Sequence, residues 1–120
     1  METQAPSDAA AKDAALARRA AAGDPKAFEL LVRRHYERCL RFALHLLGDR
    51  RDAEEAVQDT FVRAHRALPG YEERQRFEAW LFRVLVNRCR TMAARRRRME
   101  RTVVALAGGD GAADPADERP

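Results

Sequence analysis

Only two cysteines, Cys39 and Cys89, occur in this sequence, each inside an apolar stretch of helical character. Two thiols cannot define a secreted disulfide framework, so both are expected as reduced core residues. No stretch approaches the roughly 18 to 20 consecutive apolar residues that span a bilayer, and the N-terminus lacks the continuous apolar segment of a secretory signal. A cytoplasmic protein with no membrane association is the expectation. Glycine is scarce at 6 residues and aromatics make up 7%, and β-branched residues beyond a few valines are few, which removes the usual material of turn-rich β-folds. No period-2 strand pattern and no internal repeat is found.

What is present favours helices. Alanine supplies much of the 46% hydrophobic content, charged residues make up 35%, and the net charge of +4 comes almost entirely from arginine. The length of 120 residues has room for one small domain with a modest core. Residues 1–7 and 102–120 carry proline, glycine and acidic side chains without periodicity and read as a flexible start and a flexible, linker-like tail. Between them, residues 8–101 read as one helical domain of four segments.

The first segment, about Asp8 to Ala22, has Leu16 as its only large apolar anchor, is marginal alone, and can be capped by Gly23. The second opens on Asp24-Pro25, an N-cap followed by proline at the first helical position, and repeats Phe28, Leu31, Val32, Tyr36, Cys39, Leu40, Ala43 and Leu47 at three-and-four spacing up to Gly48. A third is predicted to begin near Asp52, with Glu54 and Glu55 in its first turn, and to bury Ala53, Ala56, Val57, Thr60, Phe61, Ala64 and Leu68 before Pro69-Gly70 stops it. After the loop YEERQR, the fourth presents Phe77, Trp80, Leu81, Val84, Leu85 and Met92 and continues into Arg95–Arg98. The short connections predict an all-α fold, a compact bundle of three to four helices in which the second to fourth form the core and the first is laid across them.

Chemistry of the catalytic kind finds no support, since no nucleophile–base set, paired carboxylates or glycine-rich phosphate loop is evident. No catalytic residue, metal ligand or cofactor is predicted. His35 and Cys39, four apart, could share a metal, but no second ligand pair exists and core packing is the better reading. His45 and His65 read as partly exposed helix residues. The arginines Arg83, Arg88, Arg90, Arg95, Arg96, Arg97, Arg98 and Arg101 are interrupted only by Glu100, so the opposite charges that usually interleave on a solvated helix are missing. This stripe points to a polyanion. Tyr71, Phe77, Trp80 and Phe82 surround the polar loop just before it, where aromatic faces could stack on unpaired bases. The third segment is acidic at its start instead, and one basic with one acidic surface suggests two partners, a nucleic acid and a protein.

Three pieces, GDPKAFELLVRRHY, LLGDRRDAEEAVQDTFVRAHRAL and FEAWLFRVLVNRCRTMAARRRR, in this order and spacing, make the chain from about Leu16 to Arg98 resemble region 2 of extracytoplasmic-function (ECF) sigma factors. The resemblance implies a transcription initiation factor domain that binds the RNA polymerase core through the β′ clamp helices and recognises and melts the promoter minus-ten element. It implies a polymerase face at Asp52, Glu55, Gln58, Asp59, Val62, Arg63 and Arg66. It also implies contacts to the non-template strand from Tyr71, Arg74, Arg76, Arg83, Asn87, Arg90, Arg95, Arg96, Arg97 and Arg98, with a flipped base received by the loop Tyr71 to Arg76. Thr91 departs from the family pattern, which often carries an acid four positions after the asparagine matched by Asn87. Nothing after Arg101 corresponds to the family's region 4. An alternative reading is a protein-interaction module that binds polymerase or an anti-sigma factor without productive DNA recognition. A monomer is the default.

Overall fold

In the computed structural model, which describes residues 8–72 and 76–107, the chain forms α1 (Asp8–Ala21), α2 (Pro25–Leu47), α3 (Arg50–Ala67), a short 3-10 turn (Leu68–Gly70) and α4 (Phe77–Ala107). The helix ends follow from local chemistry. Gly23, at φ +104°, donates to the Ala20 carbonyl while Asp24 donates to that of Arg19, a paired closure that satisfies the last carbonyls of α1. Asp24 then caps α2, its carboxylate accepting from the Lys26 and Ala27 amides while Pro25 takes the first helical position. The Arg19 guanidinium, 2.9 Å away, holds the Asp24 carboxyl below the usual carboxylate range, helped by those amides. Gly48 closes α2 in the left-handed conformation at φ +70°.

The third helix starts two residues earlier than its charge pattern predicts. Asp49 is the N-cap and accepts from the Asp52 amide at 3.0 Å, so Asp52 lies within the first turn. Acidic residues suit a cap and a first turn alike, which is why the run DRRDAEE places its start ambiguously. The fourth helix runs further than predicted: residues 102–107, read above as the beginning of a flexible tail, are helical. Alanine and arginine are strong helix formers, and the first residue outside the described helix is Gly108. The remaining predicted flexible segments, 1–7 and 108–120, lie outside the described residues.

The chain divides into two units, Met1–Cys89 and Arg90–Pro120. In the first, Leu31, Cys39 and Leu40 of α2, Val57 and Phe61 of α3, Leu68, and Phe77, Leu81, Leu85 and Cys89 of α4 are buried. Each large apolar side chain so buried contributes about 1.5–3 kcal/mol. Burial raises the Cys39 thiol to about 12, and Cys89 is raised for the same reason. Both thiols are free.

Helix α1 packs on α2 and on the Leu68–Gly70 turn. Its anchor is polar as well as apolar: Leu16 is only half-buried, whereas Asp13, 5% exposed, joins Ala14 and Ala17 on the buried side. Arg34 Nε donates to Asp13 Oδ1 at 2.7 Å, His35 Nε2 pairs with Asp13 Oδ2 at 3.0 Å, and a second Arg34 nitrogen donates to the Ala9 carbonyl. His35 is therefore buried but does more than pack. Its Nε2 is engaged by Asp13, its ring lies against Phe77 at 5.5 Å, and Nδ1 is 3.9 Å from a Glu78 carboxylate that pairs with Arg38.

Candidate functional site

Two regions of the first unit carry the residues that matter. At the first, the Tyr71 amide donates to the Leu68 carbonyl, which turns the chain out of the 3-10 turn, and α4 begins again at Phe77. Phe77 is 2% exposed and belongs to the core; Tyr71 and Trp80 pack against it, their rings 4.8 Å apart, with Trp80 5.6 Å from Phe77. Trp80 is half-buried, so it is a wall residue and not the core residue that its apolar spacing suggests. Tyr71 and Trp80 border a cavity of about 450 Å³ lined by Gly70, Tyr71, Glu72, Arg76, Ala79, Trp80 and Arg83. That volume falls within the roughly 300–1,000 Å³ common for small ligands.

Arg76, Trp80, Arg83 and Asn87 follow one another at four, three and four residues, so α4 presents them along one side. Arg76, Arg83 and Asn87 are exposed. Aromatic planes can stack on a base while the guanidinium groups meet its phosphates, and Glu72 on the rim is the one acid opposing that charge among the lining residues. Of the residues singled out in the sequence, Tyr71, Arg76, Trp80 and Arg83 are brought together here. Arg74 lies outside the described residues. A base-receiving pocket at this loop is what the resemblance implies; Ala79 in its lining was not anticipated, because it follows from helix register and not from a motif.

The second region is the outer side of α3. Glu55, Gln58, Val62, Arg63 and Arg66 are exposed, with Val62 at 48% a large apolar group in the open, while Asp52 and Asp59 are half-buried. Asp59 is not a simple surface acid: Arg88 grips its Oδ2 through Nε at 2.9 Å and through a terminal nitrogen at 2.8 Å. The Arg88 side chain is 11% exposed, which takes it out of the polyanion stripe where the sequence placed it. Its place was legible in part, since Leu81, Leu85 and Arg88 share the four-and-three spacing of the buried side.

Considered by itself, the second unit is helical to Ala107 and strongly basic, with Arg90, Arg95, Arg96, Arg97 and Arg98 all exposed and Arg96 3.7 Å from Glu100.

The described residues fold as an all-α domain of four helices. Residues 31–99 match Sigma-70 region 2, and the chain belongs to that family, in its extracytoplasmic-function group. Its members are transcription initiation factors and not enzymes. The chain is 42% identical over 80 residues to the RNA polymerase sigma factor NccH of Alcaligenes xylosoxydans xylosoxydans, covering 67% of this chain and 43% of that protein. It is 39% identical over 82 residues to the ECF RNA polymerase sigma factor SigE of Mycolicibacterium smegmatis, covering 66% of this chain and 32% of that one. The chain thus spans less than half the length of these curated relatives. Among solved structures, an engineered region 2 of sigmaE in complex with GTAAAA, determined by NMR, superposes with a TM-score of 0.66 at 34% identity, covering 73% of this chain and 93% of that chain. The all-α bundle predicted from the sequence is thereby established. Among the described residues no helix is long and apolar enough to cross a membrane.

Proposed function

We propose that this domain binds RNA polymerase through the exposed side of α3 and holds unpaired minus-ten promoter DNA at the cavity beside α4. The observation that carries the reading is the cavity itself: Tyr71 and Trp80 offer ring faces, Phe77 backs them from the core, and Arg76 and Arg83 stand at the edge. A base can be read on its Watson–Crick edge only after leaving the stack, and such a pocket suits a flipped base. The solved engineered sigmaE region 2, which carries GTAAAA, supports a single-stranded ligand. In the second unit, Arg90 and Arg95–Arg98 supply exposed positive charge suited to phosphates.

On α3 the protein partner meets an amphipathic mixture: Glu55, Gln58, Arg63 and Arg66 around the exposed Val62. In this reading the partner is the clamp-helix region of the β′ subunit. Asp59 belongs to the supporting layer, since it is bound to Arg88. The test is capture of a β′ clamp-helix fragment by the full chain. Val62→Ala with Gln58→Ala should weaken capture and leave the unfolding free energy within about 0.5 kcal/mol of wild type, because both side chains are exposed. Undiminished capture by that folded variant would place the polymerase contact elsewhere.

A further inference from the structure

His35 Nδ1 is buried and makes no hydrogen bond among the described residues. A buried polar atom without a partner is costly and rare in a folded protein. The groups around the ring account for it. The Asp13 carboxylate of α1, gripped also by Arg34 of α2, accepts, so Nε2 at 3.0 Å carries hydrogen and donates. In the neutral ring that leaves a lone pair on Nδ1, which faces a carboxylate oxygen of Glu78, in the first turn of α4, at 3.9 Å. Two acceptors thus face each other just beyond hydrogen-bond reach. Arg38 of α2 pairs with the same Glu78 oxygen, and the Cys39 thiol, one turn along α2 from His35, is kept uncharged by burial.

The same ring supports the aromatic cavity. It lies 5.5 Å from Phe77, against which Tyr71 and Trp80 pack at 6.0 and 5.6 Å. Glu78 follows Phe77 directly, and Trp80 stands two residues further on in the same turn, so a shift of that turn towards His35 carries Trp80 with it. We propose that His35 is a positioning residue for the base-binding cavity: a base stacked on Trp80 seats the first turn of α4, and Nδ1 then takes up a proton from solvent and donates to Glu78. The inference rests on the reading of the cavity as a base site. With hydrogen on both nitrogens, one imidazolium bridges Asp13 and Glu78 through two charge-assisted hydrogen bonds and ties α1, α2 and α4 together at Phe77. The filled cavity holds one proton more than the empty one, so by reciprocity a fall in pH tightens binding of the base.

The experiment titrates the full chain with an A/T-rich single-stranded hexanucleotide at about pH 7.5 and about pH 5.5, the interval over which histidines change charge, reading Trp80 emission and oligonucleotide anisotropy together. The wild type should bind about three- to tenfold more tightly at the lower pH, within what one linked proton allows. Glu78→Gln, an isosteric change at a part-exposed side chain whose pair with Arg38 adds little stability, should keep the fold. Its affinity should differ by less than about twofold between the two pH values, because the glutamine amide can donate to the neutral ring or accept from the charged one. His35→Gln keeps an amide for Asp13 but has no second nitrogen for Glu78, and should lose the pH response while circular dichroism shows its helicity retained. His45 and His65 remain in both variants, so a response that they carry would persist there. A wild type that binds equally at both pH values, or a full wild-type response in folded Glu78→Gln, would overturn the proposal. The cavity reading fails separately, and takes the proposal with it, if Trp80 emission stays unchanged at both pH values.

Discussion

Leu81, Leu85 and Cys89 of α4 are at most 1% exposed, whereas Met99, Val103 and Leu106 of the same helix lie 58% to 82% in the open. The first set recurs every four residues and the second at four and three, both of them helical spacings. The contrast teaches that periodicity tells which side of a helix is apolar but not whether anything covers it. In the first set the spacing is backed by helix caps, ring contacts and the Asp59–Arg88 pair; in the second, arginines neighbour the apolar positions.

The comparison is broken most severely by truncating a residue of each kind. Leu85→Ala should destabilise by about 3 kcal/mol, as buried leucine truncations do, and Leu106→Ala by less than about 0.5 kcal/mol, both read from chemical denaturation. Nearly equal losses would mean that Leu106 is covered within the chain. Next in size is Asp13→Ala, which removes the shared partner of Arg34 and His35; a loss of about 3 kcal/mol is expected, with α1 amides losing hydrogen-exchange protection ahead of those in α2. Asp59→Ala should cost about 2 kcal/mol by leaving Arg88, 11% exposed, without its carboxylate, so a double alanine change at Gln58 and Asp59 would confuse binding with stability. The smallest effect concerns Cys39. With its thiol raised to about 12 from an ordinary 9.0, the folded chain holds it protonated while the unfolded chain ionises it, so its contribution to stability is whole below pH 9 and is lost as pH climbs towards 12. At pH 8 a thiol reagent should label Cys39 far more slowly in the folded chain than in denaturant.

Much of the fold was legible because its punctuation is local. Asp24-Pro25, Gly23 and Gly48 each act within a few residues, and each marks a helix end in the structure. Where several residues could do the same task, as in DRRDAEE, the boundary slipped by two residues. The polar anchors were not legible, because Asp13 meets His35 across 22 positions and Asp59 meets Arg88 across 29, distances at which no periodicity reports. At the site, the aromatic and arginine content around Tyr71–Arg83 was visible as composition. That Phe77 is a core residue and Trp80 a lining one required the packing of α4 to be known.

Trp80 is the sole tryptophan, so its emission reports the cavity alone. The most direct measurement is a titration of the full chain with an A/T-rich single-stranded hexanucleotide, following Trp80 fluorescence at several salt concentrations. Stacking in the cavity predicts a saturable change in emission, weakened by Arg83→Ala without loss of stability, and a log-log salt slope of roughly −2 to −4 for about three to five phosphate contacts. Binding detected by oligonucleotide anisotropy with no change in Trp80 emission, or an affinity indifferent to salt, would contradict the assignment of this cavity to promoter DNA.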